Sequence, residues 1–299
     1  MRPTISRLLQ ATRCLQHENP LGLPKTGTIP RFQRGLPTKR PIQNVKKVIA
    51  VSSAKGGVGK STIAANLSLS LARLGLRTGI LDTDIYGPSI PTLFSLTSHQ
   101  PSLTSSSQLI PLTAYGVQTM SLGYLTPSSS SALIWRGPML LKAIQQLLHS
   151  VAWSPSLDIL VLDLPPGTGD IQLSITQQIV LDGAVVVTTP HILAVQDAVK
   201  GMDMFDRVEV PILGLVQNMS LFRCPHCHGE TAVFGGEEGV RQVCKERGVE
   251  LLGDVPLHPN IGEDASRGRP TVVAEPESDR ARVFMDVARA VARKVGLEV

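Results

Sequence analysis

A glycine-rich segment with two lysines is the part of this 299-residue sequence best suited to chemistry. It reads AKGGVGKS from Ala54 to Ser61 and matches the phosphate-binding pattern G-x-x-x-x-G-K-S/T except at its first position. Its glycines let backbone N–H groups converge on phosphate oxygens at a helix N-terminus, where the helix dipole favours negative charge. Lys60 can then neutralise the outer phosphates, and Ser61 can ligate Mg²⁺. The residues predicted to contact a nucleotide are Gly56, Gly57, Val58, Gly59, Lys60, Ser61 and Thr62.

Lys55 is a second lysine in the same loop. A single subunit needs only one lysine to neutralise the outer phosphates. The extra lysine therefore indicates a site that another chain completes.

Two predicted strands end in aspartates that would lie beside this loop. The run RTGILD ends at Asp82 and leads to Asp84, and the run LDILVLD ends at Asp163. Carboxylates at the C-terminal ends of parallel strands lie where a doubly wound sheet binds ligands. Asp84 is a candidate for positioning or deprotonating an attacking water, or for holding Mg²⁺ through water, although an aspartate here can also cap a turn. Asp163 has the buried position from which an acid faces the water shell of Mg²⁺.

Asn218 follows another predicted strand, ILGLVQ, which ends at Gln217. An amide at the end of a strand can read the edge of a purine. A plain turn role is an equally good interpretation of its position.

The sequence has four cysteines: Cys14, Cys224, Cys227 and Cys244. The C-x-x-C pair at 224 and 227 can place two thiolates on one metal. A structural zinc needs four ligands, and a 4Fe-4S cluster commonly takes four cysteines. Either His226 and His228 complete the site, or a second copy of the chain supplies two more thiolates. Because the two histidines lie within and beside the C-x-x-C turn, they lack the wide separation that a second pair of ligands usually has. This favours a site shared between two chains. A thioredoxin-like redox pair is a third reading.

The alternation of apolar runs and amphipathic segments predicts the fold class. Strand-like runs occur at 48–51, 77–82, 116–122, 157–164, 183–188 and 212–217, and helical segments at 139–151, 192–205 and 239–247. Such alternation implies right-handed crossovers and a parallel sheet. We predict an α/β fold with a doubly wound, mostly parallel sheet of about seven strands and helices on both faces, forming one domain over residues 45–299.

Positive charge is concentrated at the N-terminus. Residues 1–47 carry ten Lys and Arg and one Glu, so residues 48–299 are mildly acidic although the net charge of the chain is +5. A mildly acidic body removes the simplest argument for nucleic-acid binding. The basic, Ser- and Thr-containing start predicts a mitochondrial presequence followed by an unstructured basic linker over residues 1–44, with a disordered tail or an electrostatic anchor as the alternatives.

Membrane contact has one candidate segment. No apolar run approaches the roughly 20 residues that a transmembrane helix needs. The stretch 280–294 has the pattern of a basic amphipathic helix, which can lie on a membrane or pack on the sheet with a solvated basic face.

Six motifs together resemble the Mrp-type P-loop ATPases of the MinD, ParA and nitrogenase iron-protein group. They are AKGGVGKST, LDTDIYGPSIP, WRGPM at 135–139, VLDLPPGTGD, VQNMS at 216–220 and CPHC at 224–227. The resemblance covers roughly residues 45–297. With its predicted leader, the chain is most similar to the mitochondrial members of this family that deliver iron-sulfur clusters to respiratory complex I.

The resemblance implies roles for the polar residues of the nucleotide site. Lys55 resembles the signature lysine that reaches across a nucleotide-sandwich dimer to the partner's phosphates. Lys60 and Ser61 match the phosphate and Mg²⁺ ligands within the chain. Asp84 matches the switch I acid, and Asp163 the switch II acid.

The resemblance also implies roles for the amide and the thiols. Asn218 matches the position that contacts adenine. Cys224 and Cys227 match the pair that, with its symmetry mates, bridges a labile 4Fe-4S cluster at the dimer interface.

The function expected on these grounds is that of a slow, homodimeric ATPase of the mitochondrial matrix. It would bind ATP and Mg²⁺, hold a 4Fe-4S cluster transiently and transfer it to apoproteins, with subunits of complex I as the expected recipients. Two other functions stay open on the sequence: a MinD- or ParA-like positioning ATPase on a membrane or DNA surface, and a zinc-stabilised nucleotide-binding module.

Overall fold

The structure is a computed structural model that describes residues 39–125, 137–224, 226–227 and 229–299. The predicted presequence falls almost entirely outside these residues, as do Trp135 and Arg136 of the WRGPM motif. The nucleotide-site residues and both cysteines of the C-x-x-C pair lie inside them.

The described residues form one sheet of nine strands in the order β3-β4-β2-β5-β1-β6-β7-β8, with β9 also paired to β7. The strands are β1 (Val45–Ser52), β2 (Thr78–Asp82), β3 (Leu112–Ala114), β4 (Val117–Ser121), β5 (Leu157–Asp163), β6 (Gly183–Thr188), β7 (Ile212–Arg223), β8 (Glu230–Thr231) and β9 (Leu251–Leu257). Seven strands run parallel, and β3 and β8 pair antiparallel with their neighbours. The mostly parallel sheet is confirmed, but the predicted count of about seven is too low.

Helices cover both faces of the sheet, as predicted. They are α1 (Lys60–Arg73), α2 (Ile90–Leu93), α3 (Gly137–His149), α4 (Asp170–Gln178), α5 (Ile192–Arg207), α6 (Glu238–Arg247), α7 (Pro259–Ser266), α8 (Thr271–Ala274) and α9 (Asp279–Lys294). Strand β1 shows why two layers form: Val48 and Ala50 belong to one apolar cluster, and Ile49 and Val51 to the cluster on the opposite face. Alternate side chains of a strand point to opposite faces, so a parallel strand buried on both faces is apolar throughout.

Strand β7 differs from its prediction in a way that matters for the site. The sequence suggested that the strand ends just before Asn218, but it continues to Arg223. Met219 has a φ of 55°, and the register with β9 shifts between Asn218 and Phe222. The strand therefore passes through Asn218 with a bulge and delivers the chain directly to Cys224.

Helix α9 contains the stretch that suggested membrane contact. Its apolar residues Phe284, Val287 and Val291 are buried, and the helix packs against α1 and β9. Arg289 pairs with Asp286 on the same helix, and Lys294 pairs with Glu250. These contacts match the second interpretation, a closing helix packed on the sheet. No helix in the described ranges is both long and apolar enough to span a bilayer.

Candidate functional site

The glycine-rich loop connects β1 to the N-terminus of α1. Gly57 and Gly59 have φ values of 80° and 82°, in the left-handed region that favours glycine. Ala54 does not adopt a positive φ, so its replacement of the usual glycine costs nothing here. The first turn of α1 has no acidic residue, so no carboxylate of the helix itself competes for its positive end.

Lys60, Ser61 and Asp163 converge at the base of the loop. Lys60 Nζ lies 2.5 Å from Asp163 Oδ1 and 3.2 Å from Ser61 Oγ. The lysine side chain is 6% exposed and the aspartate side chain is fully buried. The sequence predicted all three residues, and β1 and β5, which carry the loop and the acid, are paired neighbours in the sheet.

Asp163 has a carboxylate oxygen that could face the water shell of Mg²⁺. Its Oδ2 is buried and has no hydrogen-bond partner within the described chain. Burial raises the pKa of Asp163, whereas the charge of Lys60 lowers it. A buried, unsatisfied carboxylate oxygen is costly unless it meets a donor or a cation. Ser61 and Asp163 therefore fit Mg²⁺ held partly through water.

The segment after β2 brings Asp84 to the same place. Thr83 donates from both its N–H (3.0 Å) and its Oγ1 (2.8 Å) to the carbonyl of Asp163. Asp84 lines a cavity of about 460 Å³ together with the glycine loop and Pro166. The acid is half-buried, and the cavity has the lining that a phosphate chain would need.

Asn218 lies against the opposite side of the glycine loop. Its Nδ2 donates to the carbonyl of Val58 at 2.8 Å. This bond uses one of the two N–H donors and fixes the orientation of the amide, so Oδ1 and the second N–H are left for a ligand. The Oδ1 acceptor suits the amino group of adenine.

A second cavity of about 460 Å³ adjoins Asn218 and is lined mainly by apolar groups. Its walls are Asn218, Met219, Phe222, Pro256, Leu257, His258, Pro259 and Ile261. Gly59 and Thr62 line both cavities. We call the first cavity, lined by the glycine loop and Asp84, the phosphate cradle. An apolar pocket that adjoins such a cradle is the shape that a mononucleotide requires. Sequence reasoning missed the 256–261 wall, although the pair Pro256 and Pro259, at the end of a strand and the start of a helix, was the available signal.

Gly59 holds these two parts of the site together. A Cβ at this position would lie 2.2 Å from Asn218 Nδ2. We expect Gly59→Ala to cost about 1–2 kcal/mol for a left-handed alanine and to displace Asn218, weakening nucleotide affinity about tenfold or more. Titration with a fluorescent ATP analogue measures this change.

Gly56→Ala is the matched control for stability. A Cβ at Gly56 would meet nothing within 4 Å, and Gly56 does not have a positive φ. Its unfolding temperature should stay near that of the wild type. Equal nucleotide affinity in wild type and Gly59→Ala would contradict the role given to the Gly59–Asn218 contact.

The cysteine pair lies in the hairpin between β7 and β8. The N–H of Cys224 donates to the carbonyl of Gly229 at 3.0 Å and closes the loop. Cys224 is half-buried and Cys227 is exposed. The described residues, which leave out His228, contain no group of three or more His, Cys, Asp or Glu side chains placed to hold one metal ion. The hairpin setting also differs from the helix N-terminus on which thioredoxin-like pairs depend.

The thiols of Cys224 and Cys244 differ in pKa. Hydrogen bonds from the backbone of Cys227 and His226 lower the pKa of Cys224, whereas burial raises the pKa of Cys244. Because the thiolate is the reactive form, we expect iodoacetamide to modify Cys224 at least about tenfold faster than Cys244 near neutral pH. Peptide mass spectrometry gives both rates. The two rates should converge in denaturant, and equal rates in the folded protein would refute the prediction.

Exposed apolar side chains occur in segments that follow the ends of the strands that carry these sites. Those that follow the carboxyl ends of β2, β6 and the β7–β8 hairpin are Tyr86, Ile192, Leu193, Val233 and Phe234, with exposures of 37–71%. Lys55 lies at the same edge; its backbone carbonyl accepts from Ser53 Oγ at 3.0 Å, and no hydrogen bond or ion pair of its ammonium group is found among the described residues. One edge of the sheet thus carries the phosphate cradle, an unpaired lysine, two thiols and an apolar rim.

The fold and the glycine-rich loop are those of a P-loop NTPase. The family model that matches residues 44–292 is described as ParA, NUBPL iron-transfer P-loop NTPase. The chain belongs to this family.

Curated relatives agree with the family match. The iron-sulfur cluster transfer protein NUBPL of Dictyostelium discoideum is 47% identical over 86% of this chain and 79% of its own length. An Arabidopsis thaliana protein named "iron-sulfur protein required for NADH dehydrogenase, mitochondrial" is 45% identical over 87% of this chain and 82% of its own length.

Solved structures share the fold. A nucleotide-binding protein of Archaeoglobus fulgidus, solved in complex with ADP, has a TM-score of 0.68 and 33% identity, and the match covers 81% of this chain and 93% of that one. The MinD cell division ATPase of Pyrococcus furiosus has a TM-score of 0.63 at 23% identity over 83% of this chain and 98% of its own. The second likeness concerns the fold alone.

Proposed function

We propose that this chain is an ATP-dependent carrier that holds a labile 4Fe-4S cluster between two copies of itself and transfers it to apoproteins. The observation that carries the proposal is the course of β7, which runs from Asn218, against the glycine loop, to Cys224. One strand thus joins a nucleotide pocket to a pair of accessible thiols.

The nucleotide part of the proposal assigns the chain ATPase activity. Lys60 would bind the outer phosphates, Ser61 and Asp163 would hold Mg²⁺, and Asp84 would orient the attacking water. The bound Mg²⁺ neutralises charge on the phosphates during hydrolysis. Lys55 would reach the phosphates of the partner chain, which agrees with the lack of a partner for its ammonium group among the described residues.

Two features support a dimer: the number of thiolates that the cluster needs, and the exposed apolar side chains of one chain. Two cysteines supply half of the four thiolates that a 4Fe-4S cluster commonly takes, and a second copy supplies the other half. The apolar rim of Tyr86, Ile192, Leu193, Val233 and Phe234 lies at the edge that would face that copy, and burial of such side chains drives association.

The proteins that receive the cluster and the cellular compartment are inferred from the relatives and from the predicted presequence. The Arabidopsis relative is named as required for NADH dehydrogenase and as mitochondrial. We take residues 1–44 as a mitochondrial presequence and linker, residues 45–299 as the ATPase domain, and subunits of respiratory complex I in the matrix as recipients. The mildly acidic body gives no reason to add nucleic acid as a partner.

Anaerobic iron-sulfur reconstitution of residues 41–299 tests the proposal. We expect a brown dimer with about four irons per two chains, and cluster transfer to an apo-acceptor protein at a rate that differs between ATP, ADP and no nucleotide. Identical transfer rates would refute nucleotide control. A colourless protein that binds zinc and ATP would instead support the zinc-stabilised module.

A further inference from the structure

Asp82, the last residue of β2, is a buried acid that the proposed mechanism does not use. Its side chain is 1% exposed, and it pairs in register with Asp163 on β5. Burial and the neighbouring charge of Asp163 raise the pKa of Asp82 to about 7. A buried carboxylate in this position requires a reason, since an apolar residue would cost less.

The hydrogen bonds of Asp82 supply that reason. Oδ1 accepts from the N–H of Asp84 at 3.0 Å. Oδ2 accepts from the N–H of Ser89 at 3.0 Å, the N–H of Ile90 at 3.2 Å and Ser121 Oγ at 3.1 Å. Both ends of the loop between β2 and α2 are therefore fastened to one carboxylate, which β4 also supports through Ser121.

Within this closed loop Asp84 has little other support. Its side chain accepts from the N–H of Gly87 at 3.3 Å, a long and weak contact. The neighbouring residue Thr83 is fixed by its two bonds to the carbonyl of Asp163. The position of the Asp84 carboxylate thus depends on the loop backbone, and Asp82 fixes that backbone on both sides of it.

We propose that Asp82 is a positioning residue for ATP hydrolysis: its carboxylate holds the loop of residues 83–89 in the conformation that directs Asp84 into the phosphate cavity. This inference rests on the proposed ATPase function. Four donors point at the two carboxylate oxygens of Asp82, and each oxygen accepts at least one of them. An asparagine at this position would therefore place its NH₂ group against an N–H or O–H donor.

The test compares Asp82→Asn, Asp84→Asn and the double variant in the full chain. Misplacing a catalytic group by about 1 Å costs on the order of 10²-fold in rate. We expect Asp82→Asn to lower kcat by about that factor while the affinity for ATP changes less than about threefold. We expect the double variant to hydrolyse ATP no more slowly than Asp84→Asn alone, because residues that act as a unit are not additive.

Asp182→Asn is the matched control. Asp182 also accepts a backbone N–H, that of Val48 at 2.8 Å, and pairs with Lys47. It precedes β6 and so lies at the opposite edge of the sheet, at the amino ends of the strands. Its replacement removes a carboxylate of similar bonding without touching the loop, and kcat should stay unchanged.

Hydrogen exchange gives a readout that does not depend on hydrolysis. Asp82→Asn should remove the protection of the Ser89 and Ile90 amides, whereas Asp182→Asn should keep it. A wild-type kcat in Asp82→Asn, rate losses that add in the double variant, or loss of folding in Asp82→Asn would each overturn the positioning role. Should the wild type bind ATP without hydrolysing it, the proposed function fails, and the exchange data alone decide whether Asp82 fastens the loop.

Discussion

Replacing either cysteine of the hairpin pair should abolish cluster binding while leaving nucleotide binding intact. We expect Cys224→Ser and Cys227→Ser each to give a colourless protein after anaerobic reconstitution, because a shared site would lose two of its four thiolates. Both residues are accessible and lie in a short hairpin loop, so the fold should not change. Visible absorbance, iron content and mass in solution measure the effect, and ATP titration measures what is kept.

Cys244→Ser is the control for this prediction. Cys244 is buried on α6, and burial raises the pKa of its thiol, so it is not suited to be a ligand. Its replacement should leave the iron content unchanged. Loss of iron in this variant as well would indicate general damage to the fold.

A mixed dimer separates a shared site from a site within one chain. One protomer is wild type and the other carries Cys224→Ser and Cys227→Ser, with different affinity tags used for purification. A cluster bridged by two chains needs both pairs, so the mixed dimer should hold almost no iron. Half of the wild-type iron would show that one chain binds metal by itself, with His226 or His228 as the remaining ligands.

The parallel core of the sheet could be predicted because its strands are uniformly apolar. Runs such as GAVVVT and LDILVLD exist only where both faces are covered by helices. The strands that prediction missed lack this signal. Strand β9 has the sequence LLGDVPL, in which Gly, Asp and Pro interrupt the apolar pattern, and β3 and β8 have only three and two residues.

The geometry of the glycine-rich loop could be predicted for a different reason. Its chemistry depends on a short continuous segment, so the types and spacing of Gly59, Lys60 and Ser61 are sufficient. The second cavity instead joins Asn218 on β7 to the end of β9 and the start of α7, and no local spacing encodes that contact. The role of Asp82 was missed because its partners are mostly backbone N–H groups, which a sequence does not distinguish.

The two lysines of the glycine loop should separate stability from catalysis. Lys60 pairs with Asp163, whose side chain has no exposure to solvent. Lys60→Met leaves that carboxylate buried and unpaired, which costs about 3–5 kcal/mol. We expect the unfolding temperature to fall by about 10 °C, since each kcal/mol corresponds to about 2–4 °C in a domain of this size. Calorimetry without nucleotide measures the change, and ATP hydrolysis should also be lost.

The double variant Lys60→Met/Asp163→Asn distinguishes a lost ion pair from a disrupted loop. Removing the charge of Asp163 removes the cost of burying it alone, so most of the stability should return. Hydrolysis should not return, because both the phosphate ligand and the Mg²⁺ ligand are then missing. A double variant as unstable as Lys60→Met would show that the lysine stabilises the loop through packing and not through its charge.

Lys55→Met is the counterpart in the same loop. The hydrogen bond of Lys55 with Ser53 Oγ uses its backbone carbonyl, and its ammonium group has no partner among the described residues, so replacing the side chain should change the free energy of unfolding by less than about 0.5 kcal/mol. If Lys55 acts on the phosphates of the partner chain, hydrolysis should nevertheless fall by on the order of 10³-fold, as expected when a cation that stabilises transition-state charge in trans is removed. Normal hydrolysis by Lys55→Met would mean that each chain completes its own phosphate site. The dimer would then be needed for the cluster alone.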